Sequence, residues 1–302
     1  MRKIFFTFLL PLLFVKQTTA CDVCGCGVGN FNPFTFPHLA KNFFSLGYQH
    51  RYYQTHFIED GQQMNNREYY NTISFSAQYS PVKNLQVMAI IPFQLNRQIG
   101  HEGNKSLNRP GDIYLLVNYK LIDRISDNRI RQTLLAGVGI KFATGSYHFN
   151  EDNEKDVANS NFQAGTGSTD YLLNTFYSLR LKKWVFTTGI NYKINTANKE
   201  AYKFGNRFQS VTQLKYVKEL GTFSITPGFG IMTEAMQQDR QKKTIIDDHK
   251  TGGYNVQSLI GVDVNTQKWA LGFLYSMPVK QDLAGGRIEQ RPGLNIHLSY
   301  SF

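Results

Sequence analysis

The sequence predicts an all-β protein: a transmembrane antiparallel up-and-down β-barrel of about twelve strands, preceded by a short irregular cysteine-rich segment. Three observations predict it. In the last dozen residues, Leu294, Ile296, Leu298, Tyr300 and Phe302 alternate with Asn295, His297, Ser299 and Ser301. One face is apolar and the other polar, as in a strand between lipid and water. Aromatic residues make up 14% of the chain, with 17 Tyr and 23 Phe, yet mean hydropathy is −0.35. Beyond the leader no run of about 18 apolar residues offers a helical span; a barrel hides its apolar residues from such a window because lumen-facing polar residues interleave with them. Long polar connections alternate with tight turns, an asymmetry that a soluble β-sandwich, the competing architecture, does not explain.

Residues 1–20 read as an export signal. Arg2 and Lys3 form a basic start, Ile4 to Val15 an apolar core interrupted by Pro11, and Thr18-Thr19-Ala20 a small-residue cleavage site. Lys16, just past the core, departs from that pattern. Removing the leader's three cations takes the formal net charge from +11 to about +8. That charge suits anionic headgroups or an anion-preferring lumen. It is too scattered for the clustered basic stripe that nucleic acid requires.

Residues 21–41 form the cysteine-rich segment. Cys21, Cys24 and Cys26 follow the cleavage site in a C-x-x-C-x-C cluster, in a compartment where disulfides are allowed. Three readings stay open: a lipid on Cys21, although Thr18 stands where a lipoprotein signal usually has Leu; a soft metal ion held by the thiolates, with His38 as a further ligand; or a disulfide between two of the three. No other cofactor is indicated. Substituting Cys24 and Cys26 together with serine tests the metal reading, which unchanged metal content and metal tolerance remove. The connector through Asn32-Pro33-Phe34-Thr35-Phe36-Pro37 is periplasmic or tucked into the barrel mouth.

The barrel is expected over 42–302. Phe44, Leu46, Tyr48 and Tyr52 face outward on the first strand, and Tyr69, Ile73, Phe75, Ala77 and Tyr79 on the second, with a polar loop at 59–66 between them. A tight turn at 80–84 leads into Leu85 to Leu95, followed by a long polar loop at about 97–110. Asp112 to Leu121, Leu134 to Ala143, Asp170 to Leu181 and Val185 to Thr196 continue the pattern. Loops fall at 123–129, 144–169 and 199–206, with a tight turn at Lys182-Lys183. After strand eight, Leu220-Gly221 turns into Phe223 to Glu234, and a polar loop at 237–251 precedes Tyr254 to Val264. Thr266-Gln267 then turns into Trp269 to Val279, and a Gly-rich loop at 284–287 precedes the closing strand. Tyr48, Tyr79, Tyr119, Tyr192, Tyr216, Trp269, Tyr275 and Tyr300 supply the outward aromatics of interfacial girdles.

The inward parity holds Arg51, Glu68, Asp112, Lys120, Lys141, Asp170, Arg180, Lys193, Lys215, Glu234, Asp263 and Lys280. Charges inside such a barrel must be solvated or paired. A narrow, polar, partly self-paired lumen is therefore expected, with these residues as structural ion pairs or as the path of a small solute. Inward glycines at Gly137, Gly139, Gly189, Gly228, Gly230, Gly261 and Gly272 free space for side chains elsewhere.

The final strand, with aromatics at Tyr300 and Phe302, resembles the terminal strand by which the assembly machinery recognises bacterial outer-membrane barrels. Three further segments carry a more specific likeness: Gly111-Asp112-Ile113-Tyr114, Gly139-Ile140-Lys141-Phe142-Ala143-Thr144-Gly145, and Phe162-Gln163-Ala164-Gly165-Thr166-Gly167-Ser168-Thr169-Asp170. Together they resemble the transporter-like outer-membrane family labelled for the MetA pathway of phenol degradation; Ala143 and Ala164 stand where that family usually has proline. The Cys-rich start followed by Lys41-Asn42-Phe43-Phe44 is similar to members from Bacteroidetes-type genomes. The resemblance implies a twelve-stranded barrel in the outer membrane of a Gram-negative bacterium, moving a small hydrophobic or aromatic compound. Gly165, Thr166 and Gly167 in a long loop can fold back on the rim with Asp170 accepting from their amides, positioning the loop first and contacting solute second.

The expected function is a non-enzymatic channel or transporter. Metal handling through the cysteines is the alternative, and a barrel-embedded hydrolase built on Asn295, His297 and Ser299 is a further one. These three share one strand face but lie about 7 Å apart, where a nucleophile and base need about 3 Å.

Overall fold

The computed structural model describes residues 42–59, 62–100, 103–126, 130–147, 162–245 and 251–302. The leader, Cys21, Cys24, Cys26, His38 and the connector lie outside the described residues. The strands are β1 (Phe43–Glu59), β2 (Gln62–Val82), β3 (Leu85–Gly100), β4 (Gly103–Pro110), β5 (Ile113–Ser126), β6 (Ile130–Phe142), β7 (Asp170–Leu181), β8 (Trp184–Ile194) and β9 (Tyr202–Lys203). They continue as β10 (Arg207–Tyr216), β11 (Lys218–Leu220), β12 (Phe223–Met236), β13 (Arg240–Gln241), β14 (Thr244–Ile245), β15 (Gly253–Asn265), β16 (Trp269–Leu283), β17 (Ile288–Gln290) and β18 (Gly293–Ser301).

These strands build a closed antiparallel barrel of 12 staves. Three staves are each broken once: β4 and β5 both pair with β3, β10 and β11 both pair with β12, and β17 and β18 both pair with β1. Closure comes from β18, which pairs with β16 on one side and with β1 from Phe43↔Ser301 to His50↔Leu294 on the other.

Alternation sets which residues face lipid. Leu46, Phe75, Val138, Phe229 and Ile260 project outward and are exposed, each flanked along its strand by a less exposed inward neighbour. At the short-turn end, Trp184 packs edge-on against Tyr216, Trp269 lies 4.9 Å from Tyr300, and Phe44 stacks on Phe302 at 5.0 Å between ring centroids. This is one interfacial aromatic girdle. Towards the long-loop end, Tyr52 and Tyr69 stack at 4.8 Å.

The long-loop end differs from expectation. Positions 59–66 and 97–110 are paired strand, with β1 and β2 continuing to Glu59↔Gln62 and β3 and β4 to Gly100↔Gly103. Similarly, β5 and β6 pair out to Ser126↔Ile130. Beyond the bilayer a strand needs no apolar face, so these polar extensions carry no alternation to read. The connections at 199–206 and 237–251 also meet: β9, β13 and β14 form a small second sheet, capped by Tyr202, whose hydroxyl donates to Asp239 Oδ2 at 2.6 Å. Tyr147 and Phe204 pack on Tyr202 there, and burial raises the Tyr147 hydroxyl pKa above its ordinary value.

Candidate functional site

Three staves, β5, β6 and β7, lie side by side, and each brings one charged residue to the same inward spot. Asp112 stands at the break before β5, Lys141 near the end of β6 and Asp170 at the start of β7. Lys141 is fully buried, with its ammonium 2.8 Å from Asp112 Oδ2 and 2.7 Å from Asp170 Oδ2. It also donates to Thr166 Oγ1. The loop that follows β6 is tied into this group. Asp112 accepts the backbone N–H of Thr166 and that of Gly145, both at 2.9 Å. Asp170 accepts the Ser168 hydroxyl at 2.9 Å and the Thr196 N–H at 3.0 Å.

The glycines here follow from close approach. A Cβ on Gly145 would stand 2.8 Å from Gly165 Cα, and one on Gly165 would stand 2.5 Å from Asp112 Oδ1. Gly167 has φ +68, a region that favours glycine. From the sequence, Asp170 is expected to accept from the amides of Gly165, Thr166 and Gly167; instead the Thr166 N–H goes to Asp112 and the Gly165 N–H to the Ser146 carbonyl, while Asp170 takes the Ser168 hydroxyl.

Deeper charges have separate partners. Glu68 accepts from the Tyr70 hydroxyl at 2.8 Å and Gln98 at 3.3 Å, and Arg51 is buried on the neighbouring stave. Glu234 accepts from Gln209 at 2.7 Å. Near the short-turn end Lys215 pairs with Asp263 at 2.9 Å, and His297 Nε2 lies 3.9 Å from the same carboxylate. Gly228 and Gly261 line this small pocket, and side chains at Gly228 and at the nearby Gly272 would collide with Lys215 and His297 respectively.

Three residues placed inward by parity stand elsewhere or at the margin. Lys280 projects outward over the Tyr254 ring, because Val279 is an extra residue on β16 opposite the step from Val256 to Gln257 on β15 and reverses the faces of β16 beyond Pro278. Arg180 is exposed at the short-turn rim, 3.6 Å from Glu219. Lys120 holds Asp123 at 3.1 Å beside another register shift.

The interior is also less polar than the sequence reading held. Inward-facing Met88, Ile90, Tyr114, Leu116, Leu135 and Leu172 pack as one buried apolar cluster. Val211, Met232 and Leu259 make a second, and Phe176 touches both. The signal lies in stretches such as Val87 to Phe93, apolar on both faces, one toward lipid and the other toward the interior.

A closed, lipid-faced barrel with this loop tie defines the outer-membrane β-barrel class of fold. Among solved structures the chain is similar to an outer membrane channel from Pseudomonas putida F1, with TM-score 0.62 and 14% identity over 87% of this chain and 96% of that one. It is also similar to the beta domain of the Bordetella autotransporter BrkA, with TM-score 0.51 and 10% identity over 87% of this chain and 100% of that one. No family model matches the chain, and no curated protein matches it. At these identities the likeness carries the fold and nothing finer.

Proposed function

We propose that this chain is an outer-membrane channel passing a small, partly apolar solute, and that it is a relative of the transporter-like family that its three motifs resemble. The observation that carries this is the amphipathic interior: buried apolar clusters and charged groups share the inner wall of a barrel whose outer wall faces lipid. Export by the leader, recognition of the Phe302 strand by the assembly machinery, and placement in a Gram-negative outer membrane belong to this reading. Hydrolase chemistry is disfavoured because the Ser299 hydroxyl pairs with Ser45 at 2.8 Å and Asn295 accepts from Gln49 at 3.0 Å, so the two serve the seam.

Planar-bilayer recording of the refolded mature protein tests the proposal. Discrete opening steps are expected, reduced by a phenolic solute and unaffected by divalent metal ions. A barrel that stays silent in every solute removes the channel reading.

A further inference from the structure

The segment held by the Asp112, Lys141 and Asp170 group carries a phenylalanine away from it to another part of the inner wall. Traced back from Asp170 on β7, the chain passes Thr166, which is bound at Lys141 on β6 and at Asp112 before β5. It then passes Ala164, whose carbonyl oxygen would stand 3.1 Å from a Cβ on Gly111, as would Pro92 on β3. Phe162 follows, with its ring 6.2 Å from that of Tyr70 on β2.

There Phe162 joins Tyr53, Tyr70, Leu283, Ala284 and Ile288 in one apolar cluster. Tyr53, Tyr70, Leu283 and Ile288 point into the barrel from β1, β2, β16 and β17, yet each is at most 2% exposed. Water does not reach them, so the interior is filled at this level, and Phe162 is part of the filling. Leu107 on β4 and Met236 on β12 pack against the same cluster. Between the staves of β4 and β12 stand β6, β7, β8 and β10 one way and β3, β2, β1, β17, β16 and β15 the other. The apolar cluster thus reaches between nearly opposite sides of the barrel.

An ion crossing here would have to shed its hydration against carbon, which is costly, and a narrow gap between apolar walls closes to ions by losing its water. The Tyr53 and Tyr70 hydroxyls do not wet it, because they are turned to Gln290 Oε1 at 3.2 Å and Glu68 Oε2 at 2.8 Å. Most contributors sit on paired strands, and Ala284 sits in the tight connection between β16 and β17. Phe162 alone comes from a long loop, so its ring can leave without breaking a ladder.

We propose that Phe162 is the gate residue of the channel: its ring, seated on Tyr70 and the cluster around it, closes the long-loop end to hydrated ions, and moving it off that seat with the Lys141 tie intact opens the passage. This rests on the channel reading and adds to it the element that closes the path.

The test compares F162L and F162Q, replacements of similar volume and opposite polarity, in the refolded full mature chain. Single-channel current in potassium chloride and the urea midpoint in lipid vesicles are the readouts, and a heat-modifiable band on gels establishes that each variant is folded. F162L is expected to keep the wild-type current, while F162Q, which holds water in the seat, should raise the mean current several-fold. A residue that only packs would lower the midpoint in both variants and leave their currents alike. Equal currents in folded F162L and F162Q therefore overturn the gate, and opening steps in the wild type then leave the channel standing. Current through F162Q beside a silent wild type does the reverse, keeping the ring as a plug and removing the wild-type channel. Silence in all three overturns both.

Discussion

Replacing Lys141 with methionine will destabilise the barrel by about 3–5 kcal/mol and free the tied loop, because removing one partner of a buried ion group leaves the others uncompensated. Asp112 and Asp170 would then face each other across the space that the ammonium now occupies at 2.8 and 2.7 Å. Thr166 would lose its cationic donor as well. Two measurements check this: the urea midpoint of unfolding in lipid vesicles, and the mean single-channel current. The midpoint should fall. The current should rise and grow noisier as residues 143–147 and 162–169 leave the inner wall. The triple variant K141M/D112N/D170N, which removes the orphaned charges too, should recover part of the stability but little of the loop's position, since Asp112 also holds the Gly145 and Thr166 amides. An unchanged midpoint together with an unchanged current in K141M would mean that the three charges do not hold the loop.

Arginine at Ile260 is expected to cost about 2–4 kcal/mol, the depth-dependent penalty for a cation on the lipid face near the bilayer midplane. Ile260 is 58% exposed midway along β15, with Phe229 and Tyr275 as its outward cross-strand neighbours. Val264 shares that face but lies beside the turn leading to the Trp269 girdle. There arginine should cost only about 0–1 kcal/mol. The difference between I260R and V264R in vesicle unfolding is the informative quantity. Equal penalties at the two depths would contradict the placement of the membrane along this strand.

The fold was legible because lipid imposes a two-residue period that no other pressure erases. Leu294 to Phe302 could be assigned face by face from residue type alone, and those faces are realised. The signal stops where the bilayer stops. Gln62 to Asn66 is paired strand with no apolar side to announce it. A single extra residue also defeats parity, as at Lys280, where Pro278, which cannot donate to the ladder, is the one mark of the bulge beside it. The meeting of Asp112, Lys141 and Asp170 was out of reach for another reason. The three belong to separate motifs, and only the stave order β5-β6-β7 makes them neighbours. Buried Met88 and Leu116 are not distinguishable from lipid-facing residues by type alone, since both walls of the barrel take apolar side chains here.

The seam between β1 and β18 bears on how the chain reaches this state. Ser45 and Ser299 touch there at 2.8 Å while lying 254 positions apart in the chain. Contacts of such separation are slow to form, because the entropy of a very long loop must be lost before they are rewarded. Until they form, both strands present open edges able to template pairing with another molecule. The rate of closure, more than the final stability, therefore decides between monomer and aggregate during refolding. Dilution and a ready bilayer should raise the yield of closed barrel even where the unfolding midpoint stays the same.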